Sequence, residues 1–269
     1  MLSKEKKKHT NTIAQPLISI ITPLYNAAPF IAQTIASIQS QTYSNWELLI
    51  VDDNSTDASV TIVKTLAKND ARIKLTEEKI NKGAAQARNK GTSLAQGTYI
   101  AFLDADDLWH SQKLEIQLYF MSKNNCNVSF TSYVHIDENG YEIGKRIKAI
   151  NQLTYKKQHN NNYLGNLTGM YNCAVLGKIE APTIRKRQDW AVWLEAIKRS
   201  AKPALGIQQD LAYYRVHNGN MSRDKLNLVK YNYAFYREYL GYSTIKSSLY
   251  LLRFFWEYFV NRPKHIEQY

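Results

Sequence analysis

Residues 99–107 read Tyr-Ile-Ala-Phe-Leu-Asp-Ala-Asp-Asp. Tyr99 to Leu103 is an apolar run of the length of a buried strand, and the chain turns acidic where it ends. Alternate side chains of a strand share a face, so Asp104 and Asp106 point the same way there. Carboxylates that close repel one another unless something neutralises them. A hard divalent cation, Mg²⁺ or Mn²⁺, is the natural partner, and it usually brings a phosphate with it. An acidic surface loop would explain a lone Asp-x-Asp; the residues upstream tip the balance the other way.

Leu17 to Thr22 reads as a first buried strand stopped by Pro23, with Tyr25-Asn26 just beyond. Phe30, Ile31, Ile35 and Ile38 recur at helical spacing. Trp46 to Val51 is a second strand, followed at once by Asp52-Asp53-Asn54-Ser55-Thr56-Asp57, and Val60, Val63, Leu66 and Ala67 are again helical. Arg72 to Thr76 is a weaker strand. Ala84 to Leu94 is a helix of small residues, able to lie close to a sheet. Strand and helix in alternation predict a mostly parallel, Rossmann-like α/β sheet with helices on both faces, and ligands of such sheets bind beyond the carboxyl ends of the strands. The polar clusters 22–26, 52–57 and 104–107 all fall there. The first turn has neither G-x-G-x-x-G nor G-x-x-x-x-G-K-[ST], which sets aside an ordinary dinucleotide fold and a P-loop.

Downstream, Leu114 to Phe120 reads as helix, Val128 to Ile136 as strand, Asp137-Glu138-Asn139-Gly140 as a hairpin turn, and Thr168 to Leu176 as a short strand. Asp189 to Ile197 is a helix that buries Trp190, Trp193, Leu194 and Ile197. Asp224 to Tyr269 reads as one or two amphipathic helices. The organisation expected is a flexible basic arm over 1–15, a catalytic domain over 16–222 (a nucleotide-binding half 16–107, an acceptor half 108–222) and a helical C-terminal extension over 223–269. Lys and Arg number 35 against 23 Asp and Glu, a net charge of +12 that points to an anionic partner. Cys126 and Cys173 make no disulfide framework and fit buried thiols in a reducing compartment. No stretch has the length and apolarity of a membrane span.

Four motifs in order, Pro-Leu-Tyr-Asn (23–26), Val-Asp-Asp-Asn-Ser-Thr-Asp (51–57), Asn-Lys-Gly-Ala-Ala-Gln-Ala-Arg-Asn (81–89) and Asp-Ala-Asp-Asp (104–107), resemble family 2 glycosyltransferases of GT-A fold over roughly residues 16–220. Ile-Arg-Lys-Arg-Gln-Asp-Trp (184–190) and Tyr-Tyr-Arg-Val-His (213–217) resemble the bacterial teichuronic-acid, capsule and O-antigen enzymes. The resemblance implies an inverting enzyme that moves a sugar from a nucleotide-diphosphate sugar, a UDP-sugar foremost, to a glycan or lipid-linked glycan. It gives Asp53 the base imide, with Thr22, Pro23 and Tyr25 as the wall of the base pocket, and leaves Asp52 to order the loop. Asp104 and Asp106 meet the ribose and the Mn²⁺ or Mg²⁺, with Asp107 sharing that role. Asp189 is the general base. Arg215 and His217 lie on a mobile loop that closes over the diphosphate. Gln188 stands where the commoner family form has Glu.

Plainer readings stand beside these. Asp52 to Asp57 would cap the following helix, Arg88 and Asn89 would support loop ends, Asp189 would cap its own helix, and Trp190 and Trp193 are core more often than sugar platforms. A nucleotidyltransferase would also pair such a sheet with Mg²⁺, but it needs a Gly-rich basic loop where this chain has Pro23-Leu24-Tyr25-Asn26. A nucleic-acid-binding protein would explain the charge but needs aromatic and basic residues interleaved on a sheet, so no nucleic-acid partner is expected. Phe254, Phe255, Tyr258 and Phe259, with Lys246, Arg253 and Arg262 nearby, predict an interfacial helix. It would hold a cytoplasmic enzyme at the inner face of an anionic membrane, unless the helix packs back on the catalytic domain.

Overall fold

The structure is a computed structural model and describes residues 15–217 and 225–269. The arm expected over 1–15 lies, but for Gln15, outside the described residues. The chain opens with β1 (Ile18–Leu24), α1 (Ile31–Gln39), β2 (Trp46–Asp52), α2 (Ser59–Ala67), β3 (Ile73–Glu77), α3 (Ala84–Leu94) and β4 (Tyr99–Phe102). β3, β2, β1 and β4 lie side by side and parallel. Side chains alternate between two cores. Ile18, Ile20, Leu48, Ile50 and Ala101 pack with Ile31, Ile35 and Ile38 of α1 and Val63 of α2; Ile21, Leu49, Ile100 and Phe102 face the other way. β1 runs on through Pro23, which the sequence reading placed as its stop. Pairing to β4 ends at Ile21↔Phe102, so the missing proline N–H falls beyond that ladder while β2 pairs as far as Leu24↔Asp52. In α3 the small residues do what their size suggests: a Cβ on Gly91 would stand 2.5 Å from a methyl of Ile21.

The second half continues with β5 (Leu108–Trp109), α4 (Lys113–Lys123), β6 (Val128–Ile136), β7 (Glu142–Ile147), β8 (Gln152–Leu153), α5 (Tyr155–Asn160), β9 (Met170–Asn172), α6 (Cys173–Leu176), α7 (Gln188–Ser200) and β10 (Ala204–Arg215). β9 joins the sheet antiparallel to β4 and β6, which makes the sheet mixed over its full width. β10, unforeseen in the sequence, pairs parallel with β6 and antiparallel with β5. The strand expected over 168–176 is half strand and half helix, because the Asn172 side chain accepts from Val175 N and starts α6. α7 lays Val192, Trp193, Ala196 and Ile197 on the second core.

After α8 (Lys225–Ala234) and α9 (Thr244–Trp256), each followed by a π-helical turn, the chain ends in β11 (Ile266–Gln268), antiparallel to β7. Trp190, Ala191 and Leu194 of α7 share a third buried cluster with Phe235, Tyr236 and Phe254. Phe235 stacks on Trp190 with ring centroids 4.0 Å apart. Phe254 is buried and Phe255 half-buried, so that half of the aromatic set expected to face a membrane is turned toward the protein. Among the described residues no helix is long and apolar enough to cross a membrane.

Lys113 carries a cost inside this frame. It is fully buried, its Nζ donates to Gln117 Oε1 at 2.7 Å, and burial lowers its pKa to about 7. The fold therefore disfavours its charged form. That penalty is absent above the unfolded value of about 10.4, grows as pH falls and is complete below about 7. Lys113→Met should raise the melting temperature at pH 6 by about 2–4 °C, and the gain should vanish toward pH 10, where Gln117 Oε1 merely lacks its donor. A melting difference independent of pH would show that the ammonium is not penalised.

Candidate functional site

The carboxyl ends of β1, β2, β4, β6 and β10 meet at one edge of the sheet, and the polar clusters stand there. The loops after β1 and β2 are laced together. Ser55 Oγ accepts from Asn26 N at 3.0 Å, Asn26 Oδ1 from Thr56 N at 2.8 Å, and Asp57 Oδ2 from Ala28 N at 3.0 Å. Asp57 Oδ1 also accepts from Ser59 N at the start of α2, the capping expected of this cluster. The lacing holds Thr22, Pro23 and Tyr25 in place. Thr22 is buried with its Oγ1 unpartnered, and Tyr25 is 53 % exposed. Asp53 is the more firmly engaged of the acid pair. Its two oxygens accept from Lys82 N and Gly83 N, each at 2.7 Å, and so fix the turn into α3. Each oxygen keeps a lone pair for another donor. Asp52 accepts from Ser55 N at 3.1 Å through Oδ2, and its buried Oδ1 is unpartnered.

Each aspartate after β4 has a different partner. Arg88 Nη2 donates to Asp104 Oδ1 at 2.6 Å. His217 Nε2 lies 2.8 Å from Asp106 Oδ2. Arg215 N donates to Asp107 Oδ1 at 2.9 Å. Burial, then the neighbouring Asp104, raises the Asp106 carboxyl above the usual aspartate range; His217 works against them. Asp107 is only 2 % exposed, and burial together with Asp106 and Asp104 pushes it well up. Asp104 and Asp106 are the pair still open to solvent, at 33 % and 28 % of their side chains.

Two expectations change here. Arg215 is the fully buried last residue of β10, not part of a mobile loop. Its guanidinium donates to the carbonyls of Asp106, Asp137 and Glu138 and to Gln33 Oε1, and lies 5.0 Å from the Phe30 ring centre. It clamps the acidic loop to the sheet, chiefly through backbone carbonyls. Asp107, buried against the Arg215 amide, fastens the same joint, so that its Oδ1 is committed to the fold. His217 sits just past the strand, its ring 4.8 Å from Phe30; the residues after it lie outside the described set.

Asp189 is the second residue of α7, after Gln188. Arg187, just before the helix, is left-handed (φ 71°), and no side chain caps the helix. Asn162 Nδ2 donates to Asp189 Oδ2 at 2.8 Å, and Gln158 Nε2 donates to Asn162 Oδ1 at 2.8 Å. Among the described residues nothing donates to Asp189 Oδ1. Asp189 and Arg88 line one cleft with Asn89, Phe102, Asn166 and Ala181. Burial alone would lower the Arg88 pKa, yet it is raised, because the carboxylates of Asp104, Asp189 and Asp106 all act on it. Arg88 Nε is buried without a partner. Asn89 exchanges two hydrogen bonds with the Ala181 backbone, the loop support expected of it. Trp190 and Trp193 are core, donating to Gln158 O and Asn166 Oδ1. Asn162 and Asn166 were not singled out from the sequence. The polar run Asn160-Asn161-Asn162 looked like a loop, and spacing alone does not show that its last member reaches Asp189.

Asp104, Asp106 and His217 offer carboxylate oxygens and an imidazole nitrogen, a donor set that suits Mn²⁺ or Mg²⁺. The Asp106 carboxyl is raised first by burial and then by Asp104, and a bound cation would offset both by favouring the ionised form. Among the described residues no three acids, histidines or cysteines are already drawn together around one point, so Arg88 and His217 would have to shift for an ion to enter.

The model of glycosyl transferase family 2 matches residues 19–181. The putative teichuronic acid biosynthesis glycosyltransferase TuaG of Bacillus subtilis is 42 % identical over 83 % of this chain and 88 % of its own length. The UDP-Glc:alpha-D-GlcNAc-diphosphoundecaprenol beta-1,3-glucosyltransferase WfgD of Escherichia coli is 38 % identical over 80 % of this chain and 83 % of its own. In fold, the crystal structure of S. aureus TarS 1-349 in complex with UDP-GlcNAc superposes with a TM-score of 0.71 at 20 % identity, over 90 % of this chain and 73 % of that one.

The Asp106 geometry makes a prediction that needs no substrate. A carboxyl whose folded pKa is raised costs stability when ionised. The cost is absent below about pH 3.9 and complete above the folded value. Asp106→Asn keeps a hydrogen-bonding group beside His217 and should melt about 2–4 °C higher than the parent at pH 7 in EDTA, with equal melting near pH 3.9. A lower melting point at pH 7 would mean that the His217 pair outweighs the repulsion.

Proposed function

The chain belongs to glycosyl transferase family 2, and from that premise we propose an inverting transfer of a sugar from a UDP-sugar to a lipid-linked glycan in the synthesis of a bacterial surface polysaccharide. The observation that carries it is Arg88, hydrogen-bonded to Asp104 while feeling the charge of Asp189. That one side chain shares a cleft with Asp189 and is bonded to Asp104, and so supports a juxtaposition of the two acids of the kind a single displacement needs. The activity for which WfgD is named supports UDP as the nucleotide and a diphosphoundecaprenol-linked acceptor. Such an acceptor would place the reaction at the cytoplasmic face of a membrane.

In this reading the base rests against Thr22, Pro23 and Tyr25, and its imide N–H donates to Asp53. Asp104 and Asp106, with His217, would hold the Mn²⁺ or Mg²⁺, which when bound offsets the charge gathering on the departing diphosphate. Asn162 occupies Asp189 Oδ2 and leaves Oδ1 to the acceptor. As the acceptor oxygen forms its bond to the anomeric carbon, Asp189 Oδ1 takes the hydroxyl proton. The bond from that carbon to the diphosphate oxygen breaks, and its electron pair leaves with UDP. Attack from the face opposite the leaving group inverts the configuration.

Purified protein incubated with a panel of UDP- and GDP-sugars and Mn²⁺ should release nucleotide from a UDP-sugar and be stabilised thermally by UDP. No response to any nucleotide sugar would end this reading. Stabilisation by UDP should largely disappear in EDTA and in Asp106→Asn; equal UDP affinity with and without the ion would remove the metal assignment. Asp189→Asn should keep UDP binding and lose transfer by about 10²–10⁴-fold. Asn162→Ala should lower kcat by about tenfold with donor KM unchanged, since it frees the base to rotate without touching the donor. Normal transfer by Asp189→Asn would leave Asp189 a structural residue with the base elsewhere.

A further inference from the structure

On α9 the face turned away from the protein is apolar. Ile245, Leu249, Leu252 and Trp256 follow one another at steps of four, three and four residues and are 56–77 % exposed, and Phe259 on the following π-helical turn is 68 % exposed. This is one helical stripe. Of the aromatic set the sequence singled out it takes in only Phe259, because Phe254, on the opposite side, is spent on the cluster with Trp190. Among the described residues nothing in the internal packing accounts for five large apolar side chains in a row on the surface, and a patch of that kind marks an interaction site.

We propose that this stripe is a membrane-docking face that seats the enzyme on an anionic bilayer. Charge selects the occupant. From residue 239 to 266 the chain carries Lys246, Arg253, Arg262 and Lys264 and a single acid, Glu257. That acid is turned inward, accepting from Tyr163 Oη and Asn261 Nδ2 and paired with Lys157. Lys246 and Arg253 flank the stripe, stacked on Tyr242 and Tyr250. A second copy would bring two basic helices together and leave their charge unanswered, whereas anionic headgroups answer it while the apolar residues and Trp256 enter the interface. The face is also close to the cleft. Asn161 donates to Phe254 O on α9 and accepts from Arg262, and the next residue, Asn162, holds Asp189. A bilayer under α9 therefore lies one helix layer from the acid at the start of α7. The inference deepens the lipid-linked acceptor proposed above and rests on it only for its purpose, since affinity for lipid is measured without any transfer.

The full chain should float with vesicles of phosphatidylglycerol and phosphatidylethanolamine at low salt and much less with phosphatidylcholine alone. The triple variant L249S/L252S/W256S changes exposed side chains and should lower the bound fraction roughly tenfold or more, with metal-dependent stabilisation by UDP unchanged. If that variant proves unstable, K246Q/R253Q decides: it keeps the stripe and should lose the preference for anionic over neutral vesicles. The proposal falls if the parent chain stays at the bottom of the gradient with anionic vesicles, or if the serine variant floats as well as the parent. It falls equally if the chain sediments as a dimer that the serine variant makes monomeric. Failure to float with nucleotide release from a UDP-sugar intact would overturn the docking face and leave the transferase reading standing.

Discussion

Three carboxylates within four residues at the end of β4 are the constraint around which the rest of the molecule is arranged. Left alone they would repel across a few ångströms in a half-buried site. The fold answers with one partner from each of three places: a guanidinium from α3, an imidazole from just beyond β10, and the last backbone amide of β10. α1 adds a fourth tie, Thr34 Oγ1, within 2.9–3.0 Å of the carbonyls of Ala105 and Asp107. The loop is therefore rigid in its backbone and frustrated in its charge. Under the proposed reading, a cation and a diphosphate would need this combination of fixed position and uncompensated charge. Asp107 and Arg215 supply the rigidity, and Asp104 and Asp106 retain the charge.

The two halves of the chain contribute differently. The four parallel strands, with helices drawn to both faces by alternating isoleucines and leucines, form a platform whose loops carry Thr22 to Asn26, Asp52 to Asp57 and Asp104 to Asp107. The mixed half supplies what closes the site: β10 for Arg215 and His217, α7 for Asp189, and the 161–168 segment for Asn162 and Asn166. α7 is pinned on both sides, by Trp193 into the sheet's second core and by Trp190 against Phe235 and Phe254. Asp189 thus stands on a helix that cannot tilt without breaking one of two aromatic clusters.

Much of this was legible in the sequence where a single period governs a segment. Ala84–Leu94 was bounded to the residue, since Gly83 and Gly97 punctuate a run of small residues, and Val128–Ile136 with its Asp137–Gly140 turn followed from alternation and turn chemistry alone. β10 was missed because register shifts between Ile207 and Asp210 and between Asp210 and Ala212 break its alternation. Arg215 was misplaced for the same reason. Without the strand, Tyr-Tyr-Arg-Val-His looked like loop, and a buried arginine satisfied by carbonyls leaves no trace in composition. The exposed side of α9 was unreadable because both faces of that helix are apolar, and only tertiary packing decides which one the protein keeps. The contact of Asn162 with Asp189 joins residues 27 apart that share no motif.

The partners of the acidic loop also order events in time. β1 to β4 close through short helical crossovers, but Arg215 reaches Asp106 and Asp107 across 109 and 108 residues of chain. Loops that long close late and at an entropic cost. During synthesis the N-terminal half therefore emerges with its sheet able to form and Asp104 already paired with Arg88, but Asp106 and Asp107 gain their partners only when β10 slides in beside β6. A truncated or stalled chain would hold the platform without the site. Completion of the acidic loop is in this sense a late folding event, and it reports on completion of the whole molecule.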